Sequence, residues 1–174
     1  LTAKIDAPSM AGVASLADWA LTGTPLAAWL AEAAPDLGPA SLSAELSARA
    51  DGSDSHAELK VHGTAGGTAV DAKLGFDGRP VAWRDGALDL SVALKAEATD
   101  ALLRQFGVPA LPIAESGTSD VTIRATGTPS RDMDLRVSGG FSNVSFGMDG
   151  ALSLDANGWP AATGKVQMGA DDVA

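Results

Sequence analysis

The stretch that decides the fold runs from Ala87 to Gly117 and reads ALDLSVALKAEATDALLRQFGVPALPIAESG. Apolar and polar side chains alternate through its first part, and this period of two predicts a β-strand with one apolar face. A short amphipathic helix is predicted next, over residues 99–106, with Thr99 or Asp100 as its N-cap. Gly107 ends that helix, and the prolines of the following loop prevent it from resuming.

The N-terminal part of the chain carries a second helical region. After a short alternating segment, apolar residues recur at helical spacing over residues 9–20 and again over residues 26–34. Prolines follow the second of these segments and close it. Helices are therefore predicted only within residues 8–34 and 99–106, and the rest of the chain is predicted to be strand and turn.

Alternation of apolar and polar residues resumes at Gly38 and continues to Ala98. The glycine-containing segments 51–54 and 63–67 are typical of turns, and the Asp77-Gly78 pair is typical of a tight hairpin. Val81 and Trp83 alternate with polar or small residues, which predicts the start of a further strand there.

The connections between these strands are short, so consecutive strands are predicted to be antiparallel neighbours in a meander with one apolar and one polar face. The segment Leu59–Gly63 matches Leu135–Gly139 in pattern, and each follows a helix and a proline-containing loop. We therefore expect a mainly β fold with short helices, forming a curved, half-barrel or groove-like sheet. Two similar units, residues 1–98 and 99–174, are expected to contribute to one continuous sheet.

Composition and charge exclude several classes of protein. The chain has 174 residues and a formal net charge of −10, which argues against nucleic-acid binding because phosphate contacts need clustered Lys and Arg. The same charge disfavours attachment to anionic lipid headgroups. The chain has no cysteine, which removes disulfides and thiolate metal sites, and no apolar run approaches the ~20 residues of a membrane helix.

Several segments of the chain resemble the AsmA-like (AsmA/TamB-type) proteins of Gram-negative envelopes. The first group of segments is DAPSMAGVASL, LGPASLSAELSA, ELKVHG and GTAVDAKLGFDG. The second group resembles the same unit again and consists of ALDLSVALKAEATDALLRQFGVP, SDVTIRATG and MDLRVSGG. The resemblance covers essentially the whole chain, and it rests on pattern and rhythm, with no catalytic signature. It implies that the chain is an internal or C-terminal segment of a longer protein, an expectation with which the non-Met first residue agrees.

The resemblance also implies a function and a location. Such proteins are tethered to the inner membrane by one N-terminal helix and extend through the periplasm. Their apolar groove is implicated in phospholipid movement between membranes and in outer-membrane assembly. The expected partners are phospholipid acyl chains, with other envelope proteins possible and no nucleic acid. Membrane contact is expected only through parts of the parent protein absent from this chain.

An apolar face of this kind offers a trough for acyl chains, which need apolar area and no hydrogen-bond donors. The alternation places Ser43, Lys60, Lys73, Arg124 and Arg136 on the water-facing side. The predicted groove-lining residues are Leu42, Leu46, Leu59, Val61, Val70, Leu74, Leu90, Leu94, Val121, Ile123, Leu135 and Val137.

No motif in the sequence supports catalysis or a cofactor. The segment GWPAATGK (158–165) resembles a phosphate-binding loop. Its glycines, however, are not spaced as in that motif, and Val166 stands where the motif has the magnesium-binding Ser or Thr. Asp51, Asp54 and His56 are candidate ligands for calcium or zinc, although Asp-Gly pairs are also typical of tight turns. We expect no enzyme activity, no cofactor and no metal site.

The alternative function is a structural or adhesin-like β-domain without a lipid ligand. The four tryptophans suggest this alternative. Trp19 and Trp29 lie on helical segments, and Trp83 and Trp159 lie near strand starts. An exposed Trp stacks on sugars in carbohydrate-binding proteins, whereas a lone Trp more often covers the end of a core.

Overall fold

The computed structural model describes residues 1–12, 14–15, 25–107, 117–141, 144–154 and 160–170. Within them, nine strands form one antiparallel sheet whose spatial order follows the chain, which confirms the predicted mainly β meander. The sheet is open, with β1 and β9 at its edges. The strands are β1 (Thr2–Ala7), β2 (Ala40–Asp51), β3 (Asp54–Ala65), β4 (Thr68–Gly78), β5 (Ala87–Ala96), β6 (Ser119–Gly127), β7 (Met133–Phe141), β8 (Val144–Leu154) and β9 (Pro160–Ala170).

Helices are few and short among the described residues. Helix α1 (Pro25–Ala33) and helix α2 (Thr99–Gln105) occupy the regions where the sequence predicts them. Residues 11–12 and 14–15 are also helical, and the remainder of the predicted helix over 9–20 lies largely outside the described residues. None of the helices described here has the length and apolarity needed to cross a membrane.

The two predicted glycine turns connect β2 with β3 and β3 with β4. Asp51 pairs with Asp54 across the first turn, where Gly52 has a φ of 62°. Gly66 and Gly67 form the second turn with φ values of 56° and 81°. Residues with side chains rarely adopt these left-handed angles, so the glycines favour tight hairpins and set the register of β2, β3 and β4.

The connection from β4 to β5 differs from the prediction. Instead of a tight hairpin at Asp77-Gly78 and a strand starting at Val81, a 3-10 helix (Pro80–Asp85) separates the two strands. Pro80 has no backbone N–H to give to a strand ladder, and its fixed φ suits the first turn of a helix. The two strands still pair as antiparallel neighbours on either side of this segment.

The start of α2 also differs from the prediction. Thr99 is the first residue of the helix, and the N-cap is Ala98, which makes no side-chain capping hydrogen bond. The Thr99 hydroxyl instead donates a hydrogen bond of 2.9 Å to the carbonyl oxygen of Gly117, which also accepts from the Thr99 backbone N–H. This pair of bonds ties the beginning of the helix to the segment that leads into β6.

The strand register separates the side chains into two faces. Leu46 pairs with Leu59, which pairs with Leu74, which in turn pairs with Leu90. Residues directly opposite in an antiparallel pair project from the same side of the sheet, and their sequence neighbours project from the other. One side of the sheet, the apolar face, therefore carries the aliphatic residues, and the other, the polar face, carries most of the charged and hydroxylated ones.

A helical layer, which comprises residues 10–12, 14–15, 25–39 and 99–105, packs on one end of the apolar face. Met10, Ala33 and Leu37 are buried against Ala40 and Ala65 at the ends of β2 and β3. Further along the sheet Leu102 of α2 is buried in a cluster with Ala96 and Val121. A third cluster, at the other end of β6 and β7, consists of Ala125, Met133 and Leu135.

Candidate functional site

All twelve residues predicted to line a groove lie on the apolar face, in three rows that cross β2 to β7. Each row contains residues that the strand register places opposite one another, either directly or through other residues of the same row. The row nearest the helical layer contains Leu42, Val70, Leu94 and Val121; the middle row contains Val61, Ile123 and Val137; the third contains Leu46, Leu59, Leu74, Leu90 and Leu135.

The rows extend beyond the predicted set. Val92 lies in the middle row between Ala72 and Ile123. Met148 and Val166 continue that row onto β8 and β9. The same alternation of apolar and polar residues that revealed the twelve also marks these positions, so the signal for them was present in the sequence.

Coverage of the apolar face differs between its two halves. Val121 and Leu135, on β6 and β7, are each only 7% exposed. In contrast, Leu46 is 39% exposed and Leu74 is 36% exposed, although both are large aliphatic residues in the same row as Leu135. Leu46, Leu59 and Leu74 therefore form an open patch on β2 to β4, since the described residues leave them partly exposed.

The position of the helical layer explains why it does not cover the open patch. Its contacts are with the end of the sheet that contains Ala40, Ala65 and Ala96. The open patch lies six residues further along each strand, because Leu46 follows Ala40 and Leu59 precedes Ala65 by that interval. At about 3.3 Å per residue, the patch is roughly 20 Å from this end of the sheet, which is beyond the reach of the side chains of the helical layer.

The polar face is stabilised by ion pairs within and between strands. Glu58 accepts hydrogen bonds from Lys60 and Lys73, whose ammonium nitrogens each lie 2.7 Å from one of its carboxylate oxygens. These two bonds, with Lys60 the larger influence and Lys73 the second, lower the pKa of Glu58 to about 2. The shared carboxylate also relieves the repulsion between Lys60 and Lys73, which pair directly across β3 and β4.

Arginines occupy the same row of the polar face further along. Arg124 and Arg136 pair across β6 and β7, and Arg136 lies 3.3 Å from a carboxylate oxygen of Asp149 on β8. All five residues predicted to face water, Ser43, Lys60, Lys73, Arg124 and Arg136, lie on this face by the strand register.

The candidate metal ligands are used in other ways. Asp51 and Asp54 flank the hairpin turn, and His56 Nδ1 lies 2.6 Å from Asp77 Oδ1 on the neighbouring strand. In the described part of the chain, no three His, Cys, Asp or Glu side chains are grouped so that they could hold a metal ion. The phosphate-loop-like segment enters β9 from Pro160 onward, and its first residues lie outside the described ranges.

The tryptophans are placed differently from one another. The Trp29 indole donates a hydrogen bond of 3.2 Å to the carbonyl oxygen of Gln105, so it joins α1 to α2 within the helical layer. Trp83 lies on the 3-10 helix rather than at the start of a strand. Trp19 and Trp159 lie outside the described residues.

No protein-family model, curated protein or solved structure matches this chain. The resemblance to AsmA-like proteins therefore stays a prediction. The candidate site is the apolar face itself, an array of aliphatic side chains that is partly covered at one end and partly open in the middle of β2 to β4.

Proposed function

We propose that this chain is a segment of a periplasmic envelope protein whose apolar face holds phospholipid acyl chains during their movement between membranes. In this proposal the parent protein is AsmA-like, is tethered to the inner membrane and contributes to outer-membrane assembly. The observation that carries the proposal is the open patch, where large leucines remain exposed on an ordered sheet.

The composition of the patch suits an acyl chain. The described side chains in these rows are aliphatic, and the ionised groups of the same strands project from the opposite side. Exposed apolar area of this kind is costly in water, and contact with a hydrocarbon chain removes that cost without requiring hydrogen bonds. A sugar or a peptide ligand would instead need polar partners on this face.

The dimensions of the rows also suit an acyl chain. A row that crosses the six strands from β2 to β7 is about 24 Å long at 4.8 Å per strand. This exceeds the roughly 15 Å that one chain occupies in half of a bilayer's hydrocarbon core. A chain lying across the strands would therefore contact one row along its whole length.

We further propose that the sheet is curved into a groove built from two similar units, residues 1–98 and 99–174. The matched segments support this because Leu59 and Leu135 fall in one row, and Gly63 and Gly139 fall in another. An added Cβ at Gly63 would meet the carbonyl oxygen of Ser41, and one at Gly139 would meet that of Asp120. The same close approach of the preceding strand thus recurs at equivalent positions.

Site-specific photo-crosslinking tests the lipid function. A photoreactive amino acid at Leu46 or Leu74, in the chain expressed in the periplasm, is expected to give phospholipid adducts detectable by mass spectrometry. The same amino acid at Ser43 or Lys73, on the polar face of the same two strands, is the matched control and is expected to give none. Leu46→Glu should abolish adduct formation at Leu74, whereas Ser43→Glu should not.

Circular dichroism must show that each variant remains folded, because burial of an unpaired charge can also unfold a protein. Adducts on both faces alike would mean non-specific lipid contact and would end the proposal. A folded protein without adducts at either leucine would identify a closed β-domain without a lipid ligand.

A further inference from the structure

We propose that the 3-10 helix between β4 and β5 contacts the surface of a phospholipid bilayer through Val81 and Trp83. This inference rests on the proposed lipid function and adds the place at which the chain meets the membrane. The family resemblance implies membrane contact only outside this chain, so the contact proposed here is an additional one.

Val81 and Trp83 are exposed to solvent, Val81 almost fully and Trp83 in part. Val81 is 89% exposed and Trp83 is 44% exposed. None of the six residues of the 3-10 helix is buried, so this segment contributes little to the core of the protein. Two large apolar side chains on one short exposed segment are typical of a contact surface rather than of a loop that only connects two strands.

The segment that carries them is held in place by its surroundings. The Ser130 backbone N–H, in the connection between β6 and β7, donates a hydrogen bond of 2.8 Å to the carbonyl oxygen of Arg84. Gly86 lies so close to the Phe76 ring that an added Cβ would come within 2.5 Å of it. The exposed side chains are thus presented by an anchored element, which lowers the entropic cost of binding.

The chemistry of the segment favours a bilayer interface. Trp combines an apolar ring with a polar N–H and is enriched where membrane meets water. The Arg84 guanidinium carbon lies 5.5 Å from the Trp83 ring centroid, so a cation accompanies the ring. Residues 78–86 and 128–132 together carry three arginines and two aspartates, whereas the whole chain has a net charge of −10. The β2–β3 turn at the same end adds Asp51 and Asp54, so the three connections together are close to neutral, which suits a zwitterionic bilayer.

The position of the segment connects the membrane contact with the open patch. Leu74 on β4 lies four residues before Gly78, where the strand ends. This separation corresponds to about 13 Å along the strand. The helical layer lies at the opposite end of the same strands. A lipid that leaves a bilayer at the 3-10 helix would meet the open patch without passing the helical layer.

Flotation with phosphatidylcholine vesicles tests the inference. We expect the chain to float with the vesicles, and the double variant Val81→Ser with Trp83→Ser to lower the partition coefficient by about tenfold or more, because it removes the apolar area that inserts. Phe106→Ser is the matched control, since Phe106 is 45% exposed and lies beside the helical layer. That variant should change the partition coefficient by less than about twofold if binding occurs only at the 3-10 helix.

A labelling experiment gives a second readout. The chain has no cysteine, so Val81→Cys and, as control, Phe106→Cys each provide a unique site for a nitroxide label. With vesicles present, the label at 81 should become accessible to lipid-soluble oxygen and protected from a water-soluble relaxation agent, and the label at 106 should not. Equal behaviour of the two labels would overturn the inference.

Three further outcomes separate this inference from its alternatives. If the double serine variant converts a lipid-free dimer into a monomer by analytical ultracentrifugation, the segment binds a second copy and the bilayer proposal is wrong. If the double variant still floats like the wild type while Leu46→Glu abolishes photo-adducts, only the membrane contact fails. If flotation depends on Val81 and Trp83 but no adducts form on the apolar face, the lipid groove fails and the membrane contact stands.

Discussion

The side-chain amide of Gln105, at the end of α2, donates a hydrogen bond of 3.1 Å to the carbonyl oxygen of Ala65, at the end of β3. The same nitrogen lies 3.3 Å from the carbonyl oxygens of Asp36 and Gly66. The Gln105 side chain is buried, so one amide group joins α2, the segment after α1 and the β3–β4 turn. This contact holds the helical layer on one end of the apolar face and leaves the open patch uncovered.

The first prediction concerns this amide. Gln105→Leu keeps the size of the side chain but removes the donor, and we expect it to lower the free energy of unfolding by about 1–3 kcal/mol because buried carbonyls lose their partner. Arg104→Leu removes only partly exposed ion pairs with Asp36 and Asp100, and it should cost less than about 1 kcal/mol. Urea denaturation measures both. Equal losses for the two variants would contradict the role given to Gln105.

The second prediction compares two turn glycines with similar backbone angles. Gly66 has a φ of 56° and Gly52 a φ of 62°. A Cβ at Gly52 has no neighbour within 4 Å, whereas one at Gly66 would meet the carbonyl oxygen of Asp36 and come within 2.6 Å of the Gln105 amide nitrogen. Gly52→Ala should therefore cost only the left-handed strain of about 1–2 kcal/mol. Gly66→Ala should cost distinctly more, as judged from thermal or urea unfolding, because the helical layer must also move.

The third prediction tests whether the face is open. Leu74 and Leu135 lie in the same row, but only Leu135 is buried. Leu135→Ala is expected to destabilise the protein by about 2–5 kcal/mol, as a buried leucine does when a cavity forms. Leu74→Ala should cost distinctly less, since Leu74 is 36% exposed and its truncation leaves no enclosed cavity. Similar losses in chemical denaturation would indicate that the patch is covered, which would weaken the lipid proposal.

The fourth prediction is a dependence of stability on pH. Lys60 and Lys73 lower the pKa of Glu58 to about 2, below the value of about 4.3 that Glu has in an unfolded chain. A lowered pKa in the folded state contributes stability above the unfolded pKa, and this contribution disappears as the pH falls through that window. Glu58→Gln should therefore be less stable than the wild type at pH 7, and the difference should shrink as the pH falls from about 5 to about 2.

The control for this prediction is Asp89→Asn. Asp89 lies in the same row of the polar face as Glu58 but belongs to none of the ion pairs found in the described part of the chain. Its substitution removes a carboxylate from this face without removing a bond to Lys60 or Lys73, so it should cost less stability at pH 7 than Glu58→Gln. A Glu58→Gln variant whose loss of stability is constant with pH would show that packing, rather than charge, is responsible.

Local sequence was sufficient for much of the sheet. The alternation from Gly38 to Ala98 predicted which side chains share a face, because the side-chain period of a strand is two whatever surrounds it. Glycine pairs predicted the turn at Gly66-Gly67 for an equally local reason, since only glycine adopts positive φ without strain. For the same reason α2 was predictable from its own residues, with the helix ending next to Gly107.

Tertiary structure decided the features that depend on contacts between distant segments. Pro80 diverts the chain into a 3-10 helix that a hydrogen bond from Ser130 stabilises, although the local alternation predicted a strand. Gln105 carries no mark in the sequence that distinguishes it from a surface residue, yet it is buried against Ala65. Alternation identifies the apolar side of a strand but not what packs on it, because burial depends on which distant surfaces meet. The sequence by itself therefore determined the apolar face, and only tertiary packing decided that Leu135 is buried in the cluster at the other end of β6 and β7 while Leu46 and Leu74 stay open.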